Sequence, residues 1–323
     1  MDRRRFNQAA LAAAALCSTP ALHAQAKFPS KPIRFVVPFA AGGGGDTIAR
    51  LMAQRLTERV GQAVVVENRV GAGGNIGADY VLKSPPDGYT LLNMSSTYPI
   101  QAAVSNPPFD AVSDLQPIML ISRDALVLVV HPNAPFRTAR DLQDAAKKSP
   151  DKFTHGSAGI GSIAHLGMEE LAFVMGAKMV HVPYKGSSQA FNDLLAGSVD
   201  LVLTSVTFAA PFIRSGKVRA LGISGTQRLA GLPDVPTFEE QGIRGYNVVD
   251  WKAIGGPKGI PADVVAYLNT ELNAALQHPA VQEKFRSEGT TALGGTPDQM
   301  MQAVREDIAR WKKVVQMANI KIQ

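Results

Sequence analysis

Between residues 33 and 224 the chain repeatedly passes from a short β-branched apolar run, through a turn rich in glycine or serine, into a segment with apolar residues three and four apart. Ile33-Arg-Phe-Val-Val-Pro-Phe39 runs into Ala40-Ala-Gly-Gly-Gly-Gly-Asp46, after which Ile48, Leu51, Met52, Leu56 and Val60 fall at helical spacing. Asp46 is placed as N-cap and Gly61 as the stop, and Ala63–Glu67 reads as a buried strand. Strands follow at Tyr89–Met94, Ala125–His131, Phe153–His155, Val180–Val182, Val199–Leu203 and Ala220–Ser224, with helices opening at Thr138, Ser162 and Ser187. That alternation predicts an α/β fold with mostly parallel sheets flanked by helices. Towards the C-terminus Pro261 opens a helix through Gln277, and Thr296-Pro-Asp-Gln299 has the pattern of a capped start for a last helix to about Met317.

At 323 residues the chain has room for about two domains, yet no linker, repeat or low-complexity stretch divides it. The domains are therefore expected to be interwoven. With 46% hydrophobic and 19% charged residues, it has the material for a sizeable core.

The N-terminus reads as a secretory signal. Arg3-Arg4-Arg5 precedes the apolar run Ala9–Leu16 and a small-x-small end at Ala24-Gln25-Ala26. The run is too short to span a bilayer, which needs about 20 apolar residues. Cleavage after Ala26 fits best, with Ala24 second, so residues 1–26 form the leader and the mature protein is expected in the periplasm. Arg3-Arg4-Arg5-Phe6 also resembles a twin-arginine signal, which leaves Sec and Tat export both open. The single cysteine, Cys17, lies inside the leader behind Leu16, too large a residue for a lipoprotein site. The mature chain then has no disulfide, and its core must stabilise it alone. Three arginines and one aspartate of the leader account for two of the six net positive charges, leaving about +4. There is no basic helix, aromatic platform or zinc pattern to suggest nucleic acid.

Two glycine-rich turns, Ala41–Asp46 and Gly156–Ser162, each join a strand to a helix. Such a turn leaves backbone N–H groups unpaired at a helix start, where the dipole favours an anion. Together they point to a carboxylate or phosphate. Glu67 stands roughly where a dinucleotide-binding fold places its ribose acid, which is the argument for a dinucleotide-dependent enzyme. The fingerprint fails, because counting from Gly42 its third glycine falls on Thr47, and neither turn has the lysine of a P-loop. Gly222-Ile-Ser-Gly-Thr226 lacks the last glycine of a nucleophile elbow. His131, His155, His165, His181 and His278 show no helical metal-pair spacing and read as separate structural histidines. No catalytic apparatus, metal site or cofactor is expected.

Pro38–Asp46 with Ala49-Arg50, Val66–Ala78, Pro86–Leu92, Gly156–Leu166, Val182–Gly186, Gly216–Leu221 and Leu232–Thr237 run, in this order, across almost all of the mature chain. As a set they resemble the Bug-type solute-binding proteins of tripartite tricarboxylate transporters. The resemblance implies a two-lobed Venus-flytrap protein with its ligand in the cleft. Its lobes would be 27–124 plus 250–323, and 125–249. It also implies a monomeric periplasmic receptor that hands a small carboxylate to integral membrane transporter subunits; a sensor for a membrane signalling partner is the alternative. Gly42, Gly43, Gly44, Gly45, Asp46, Ser157, Gly159 and Ser162 are the contacts it implies, with Ser96, Thr97, Thr204 and Ser205 added from the ends of two strands. Lys252 departs from the pattern, because an aromatic residue commonly follows the tryptophan that is Trp251 here. It reads either as a surface lysine at the hinge or as a cation for a distal acidic group.

Overall fold

The computed structural model describes residues 28–320, so the leader lies outside the described residues. From Lys31 onward the chain forms one compact unit. Its strands are β1 (Ile33–Val37), β2 (Val64–Asn68), β3 (Thr90–Ser95), β4 (Leu115–Val130), β5 (Thr154–Ser157), β6 (Val180–Pro183), β7 (Leu201–Ser205), β8 (Arg219–Ile223), β9 (Val249–Pro257) and β10 (Thr291–Gly294). Its helices are α1 (Gly44–Val60), α2 (Asn75–Leu82), α3 (Thr97–Val104), α4 (Ala139–Lys148), α5 (Ile163–Met175), α6 (Ser187–Ala196), α7 (Val206–Arg214), α8 (Ala262–Leu276), α9 (Pro279–Glu288) and α10 (Pro297–Met317).

The strand order is β2-β1-β3-β9-β4-β7-β5-β6, with β8 and β10 also pairing to β4. Pairing is parallel only at the two ends, between β1 and both β2 and β3, and between β5 and both β6 and β7. The middle is antiparallel, so the sheet is mixed rather than mostly parallel. The cause is that β4 and β9 cross between the two ends in opposite directions. β4 pairs β9 over Leu115–Ala125 and then β7 over Leu126–Val130. In that second half the side chains alternate between two cores, Leu126, Leu128 and Val130 packing on one face and Val127 and Val129 on the other. Each is at most 1% exposed, which is why this stretch reads as an unbroken apolar run.

Most helix boundaries follow their local signals. Gly61 ends α1 with φ 69°, Ser162 caps α5, and Thr138 and Thr296 form capping boxes. Two expectations need correction. Asp46 lies inside the first turn of α1, whose cap is Gly43. The strand at Ala63–Glu67 is an edge strand, with Val65 53% exposed, because β2 has a neighbour on one side only.

Candidate functional site

The first glycine turn is braced by a carboxylate. Gly42, at φ 82°, occupies the left-handed region that favours glycine. Its N–H donates to Asp46 Oδ2 at 2.9 Å, as does Arg50 Nε at 2.9 Å. Arg50 Nη2 and Asn68 Nδ2 donate to Oδ1 at 3.1 and 2.9 Å. Burial pushes this carboxyl up, but the hydrogen bonds from Arg50, Gly42 and Asn68 outweigh it and hold the pKa below the usual range. With four donors already on it, Asp46 fixes the turn. A Cβ on Gly44 would meet Ser205 Oγ at 2.5 Å, so α1 and the end of β7 approach as closely as glycine permits.

The second turn is braced by imidazoles. Gly159 and Gly161 have φ 124° and 71°. Ser157 Oγ accepts the Gly159 N–H at 3.0 Å and lies 2.6 Å from His181 Nε2, while the Gly161 N–H donates to His165 Nδ1 at 3.1 Å. The rings of His165 and His181 stack with centroids 3.7 Å apart, and His155 lies 5.0 Å from His181. Burial, followed by the neighbouring imidazoles, pushes His165 and His181 down to about 3, so both are neutral at ordinary pH. The three histidines are not separate structural groups. They come from β5, α5 and β6, and no spacing within one element could have joined them. Among the described residues no His, Cys, Asp or Glu cluster is arranged to hold a metal ion.

Between the two turns lies a cavity of about 60 Å³. Five helix starts meet there. Its wall includes Gly43–Asp46 of α1, Thr97 of α3, Ile163 and Ala164 of α5, Ser187 of α6, and Thr204 and Ser205 before α7. The first-turn N–H groups of a helix have no intrahelical acceptor, and each dipole turns its positive end to the cavity. Of the residues expected to contact a ligand, Gly43, Gly44, Gly45, Asp46, Thr97, Thr204 and Ser205 line it. Gly42, Ser96, Ser157, Gly159 and Ser162 lie behind the wall. Ser96 Oγ accepts the Trp251 N–H at 2.9 Å, and Ser162 Oγ accepts the His165 N–H at 3.2 Å.

The sequence reading missed Asn93 and Asp250 and left Lys252 open between a surface position and a place at the site. All three line the cavity and are at most 5% exposed. Lys252 is no surface lysine: it sits on β9 between Ser95 of β3 and Ser122 of β4, with strands on both sides. Its ammonium is bonded to the Asp250 carboxylate and lies 3.6 Å from Asp124 Oδ2. Burial alone would lower the Lys252 pKa, but Asp250 and Asp124 outweigh it and raise it; burial raises that of Asp124. A period-2 reading of β9 could have flagged Asp250 and Lys252 as polar residues in a buried strand.

Hydrogen bonds join the two sides of the cavity. The Ile163 N–H donates to Thr97 Oγ1 at 3.1 Å, and Gln101 Nε2 donates to Ile160 O at 2.8 Å and Gly73 O at 3.3 Å. Ser188 Oγ donates to Ala41 O at 3.0 Å. These bonds tie the turns on the two sides of the cavity to each other.

The chain is similar to known proteins over most of its length. The family model described as "Tripartite tricarboxylate transporter family receptor" (TctC) matches residues 48–320. A protein encoded in the tcbD-tcbE intergenic region of Pseudomonas sp. (strain P51) is 40% identical over 318 residues, 98% of this chain and 94% of that one. The solved periplasmic binding protein BugD superposes with TM-score 0.88 at 34% identity, covering 92% of this chain and 100% of its own. An R. palustris protein solved with adipate superposes with TM-score 0.87 at 34% identity, covering 91% of this chain and 99% of its own. With the family model spanning most of its length and the two-lobed α/β fold shared, the chain belongs to the TctC family of tripartite tricarboxylate transporter receptors.

Proposed function

We propose that this protein is an exported, non-enzymatic receptor that encloses a small carboxylate and delivers it to a tripartite membrane transporter. The observation that carries the reading is the convergence of five helix starts on one small buried cavity whose only lysine is already ion-paired. Backbone dipoles, not side-chain cations, are then what receives the anion, and in a dry site fixed dipoles are strong. The adipate bound by the R. palustris neighbour supports a carboxylate as the ligand class. The lobes are 27–124 with 250–323, and 125–249, closing about β4 and β9 where these strands cross. Gly43, Gly44, Gly45, Thr97, Thr204 and Ser205 contact the ligand; Gly42, Asp46, Ser157, Gly159 and Ser162 hold the turns that present it. Export removes residues 1–26, and the mature protein works in the periplasm as a monomer.

A ligand that binds only the folded state stabilises it by about 2.7 kcal/mol at a hundredfold excess over Kd. A thermal-shift panel of small carboxylates is expected to contain at least one clear stabiliser, recovered chemically unchanged. Its amide and ester are expected to fail, since helix-start N–H groups need a negative acceptor. Stabilisation by NAD, NADP or ATP, or appearance of a turnover product, would overturn the receptor reading.

A further inference from the structure

We infer that the ligand of this cavity is a compact monocarboxylate carrying a hydroxyl one or two carbons from its carboxylate, with the hydroxyl read by Asn93 and Lys252. The inference rests on the carboxylate-receptor reading and deepens it. Helix starts supply the receiving groups around most of the wall, but β3 and β9 supply the rest, and their chemistry is different.

Three observations define that part of the wall. Asn93 is 2% exposed, donates its amide to Gly45 O at 3.2 Å, and leaves its side-chain oxygen without a hydrogen-bond partner. Lys252 directs one N–H to Asp250 and has Asp124 at 3.6 Å, which leaves donor capacity on an ammonium that has three protons. A Cβ built on Gly45 would lie 3.9 Å from both Asn93 Nδ2 and Lys252 Cε. Both groups therefore sit beside the first turn of α1, where the carboxylate is received.

The charges decide what can stand there. Lys252 is already matched by Asp250, with Asp124 behind. A second carboxylate would bring an anion against Asp250 and an acceptor against the Asn93 oxygen. An ammonium, as in an amino acid, would stand against the Lys252 ammonium. A hydroxyl meets neither conflict: it donates to the unpartnered Asn93 oxygen and accepts from Lys252. Leaving a buried acceptor unpaired is what penalises the analogue that lacks the hydroxyl. The cavity is small, about 60 Å³, which favours a compact acid.

The test uses the mature protein and calorimetric titration with butyrate, 2-hydroxybutyrate, 3-hydroxybutyrate, 2-aminobutyrate and succinate. One hydroxybutyrate is expected to bind at least about tenfold more tightly than butyrate, 2-aminobutyrate and succinate. Asn93→Ala is expected to shrink the ratio between that hydroxy acid and butyrate to about twofold; the wild-type ratio stands alone if the variant does not fold. Tightest binding of succinate or of 2-aminobutyrate, or equal binding of butyrate and both hydroxy acids, overturns the hydroxyl assignment and leaves the carboxylate reading intact. No binding by any carboxylate, here or in the wider panel, overturns both.

Discussion

Gly44 and Gly43 stand side by side in the same turn, yet only one of them must be glycine for reasons of space. Gly43 has φ −79° and its nearest neighbour to an added Cβ is 3.8 Å away, whereas a Cβ on Gly44 would lie 2.5 Å from Ser205 Oγ. Gly44→Val should therefore force α1 and the end of β7 apart. Overpacking of this kind costs about 1–3 kcal/mol, a loss of ligand affinity of roughly tenfold to a hundredfold by titration, while Gly43→Ala should stay within a few-fold. The glycine run was legible as an anion-receiving turn, but which glycine is irreplaceable depends on Ser205, 161 positions away in the chain. The histidines show the same limit. The contact of His165 on α5 with His181 on β6 carries a pH signature: a folded pKa near 3 for each against an unfolded value of about 6.5 favours the neutral form. The stability this gives is complete above pH 6.5 and is lost as pH falls towards 3, because the unfolded chain takes up protons the folded one refuses. His165 contributes at most about 1.4 kcal/mol per pH unit across that window. Thermal melts of the unliganded protein should fall steeply from pH 6.5 to 4, and His165→Asn should flatten that slope; an unchanged slope would remove His165 as its source.

Elements with local signals were readable and elements with tertiary causes were not. Thr296 caps α10 through Gln299 N–H at 3.3 Å, and Gln299 Oε1 accepts the Thr296 N–H at 2.8 Å, as the four-residue pattern predicts. Thr296→Ala should lower stability by about 1 kcal/mol, a drop of about 2–4 °C in Tm, with ligand affinity unchanged because the cap is not part of the cavity wall. The first half of β4 was missed for a physical reason. Gln116, Pro117, Ser122, Arg123 and Asp124 break its apolar pattern, and the register slips between Pro117 and Met119 and between Leu120 and Ser122. Helix α7 was hidden by Pro211, which reads as a breaker but is carried inside the helix, where Val206, Ala209 and Ala210 are buried.

On the scale of the whole molecule, polar bridges join the two sides of the cavity beside an apolar core in which Ile100, Trp311 and Val314 pack with Leu126, Leu166 and Leu203. Gln101 ties Gly73 O to Ile160 O, and so joins the 3-10 turn before α2 to the turn before α5. Gln101→Ala should weaken ligand binding about threefold to tenfold, chiefly through faster release, as stopped-flow dissociation would show. An unchanged release rate would mean that other contacts set the closed state. The resemblance of ordered segments was enough to anticipate the two-lobed plan, whereas the polar floor of Asn93, Asp250 and Lys252 needed the register of β3 against β9. The long strand β4 has a consequence of another kind. It gives one half of its length to β9 and the other to β7, so neither side of the cleft owns it. A gene for such a chain cannot be cut into exchangeable modules without leaving one side short of its central strand. New specificities in this architecture are therefore expected to arise by substitution within the wall of the cavity, where Lys252 stands.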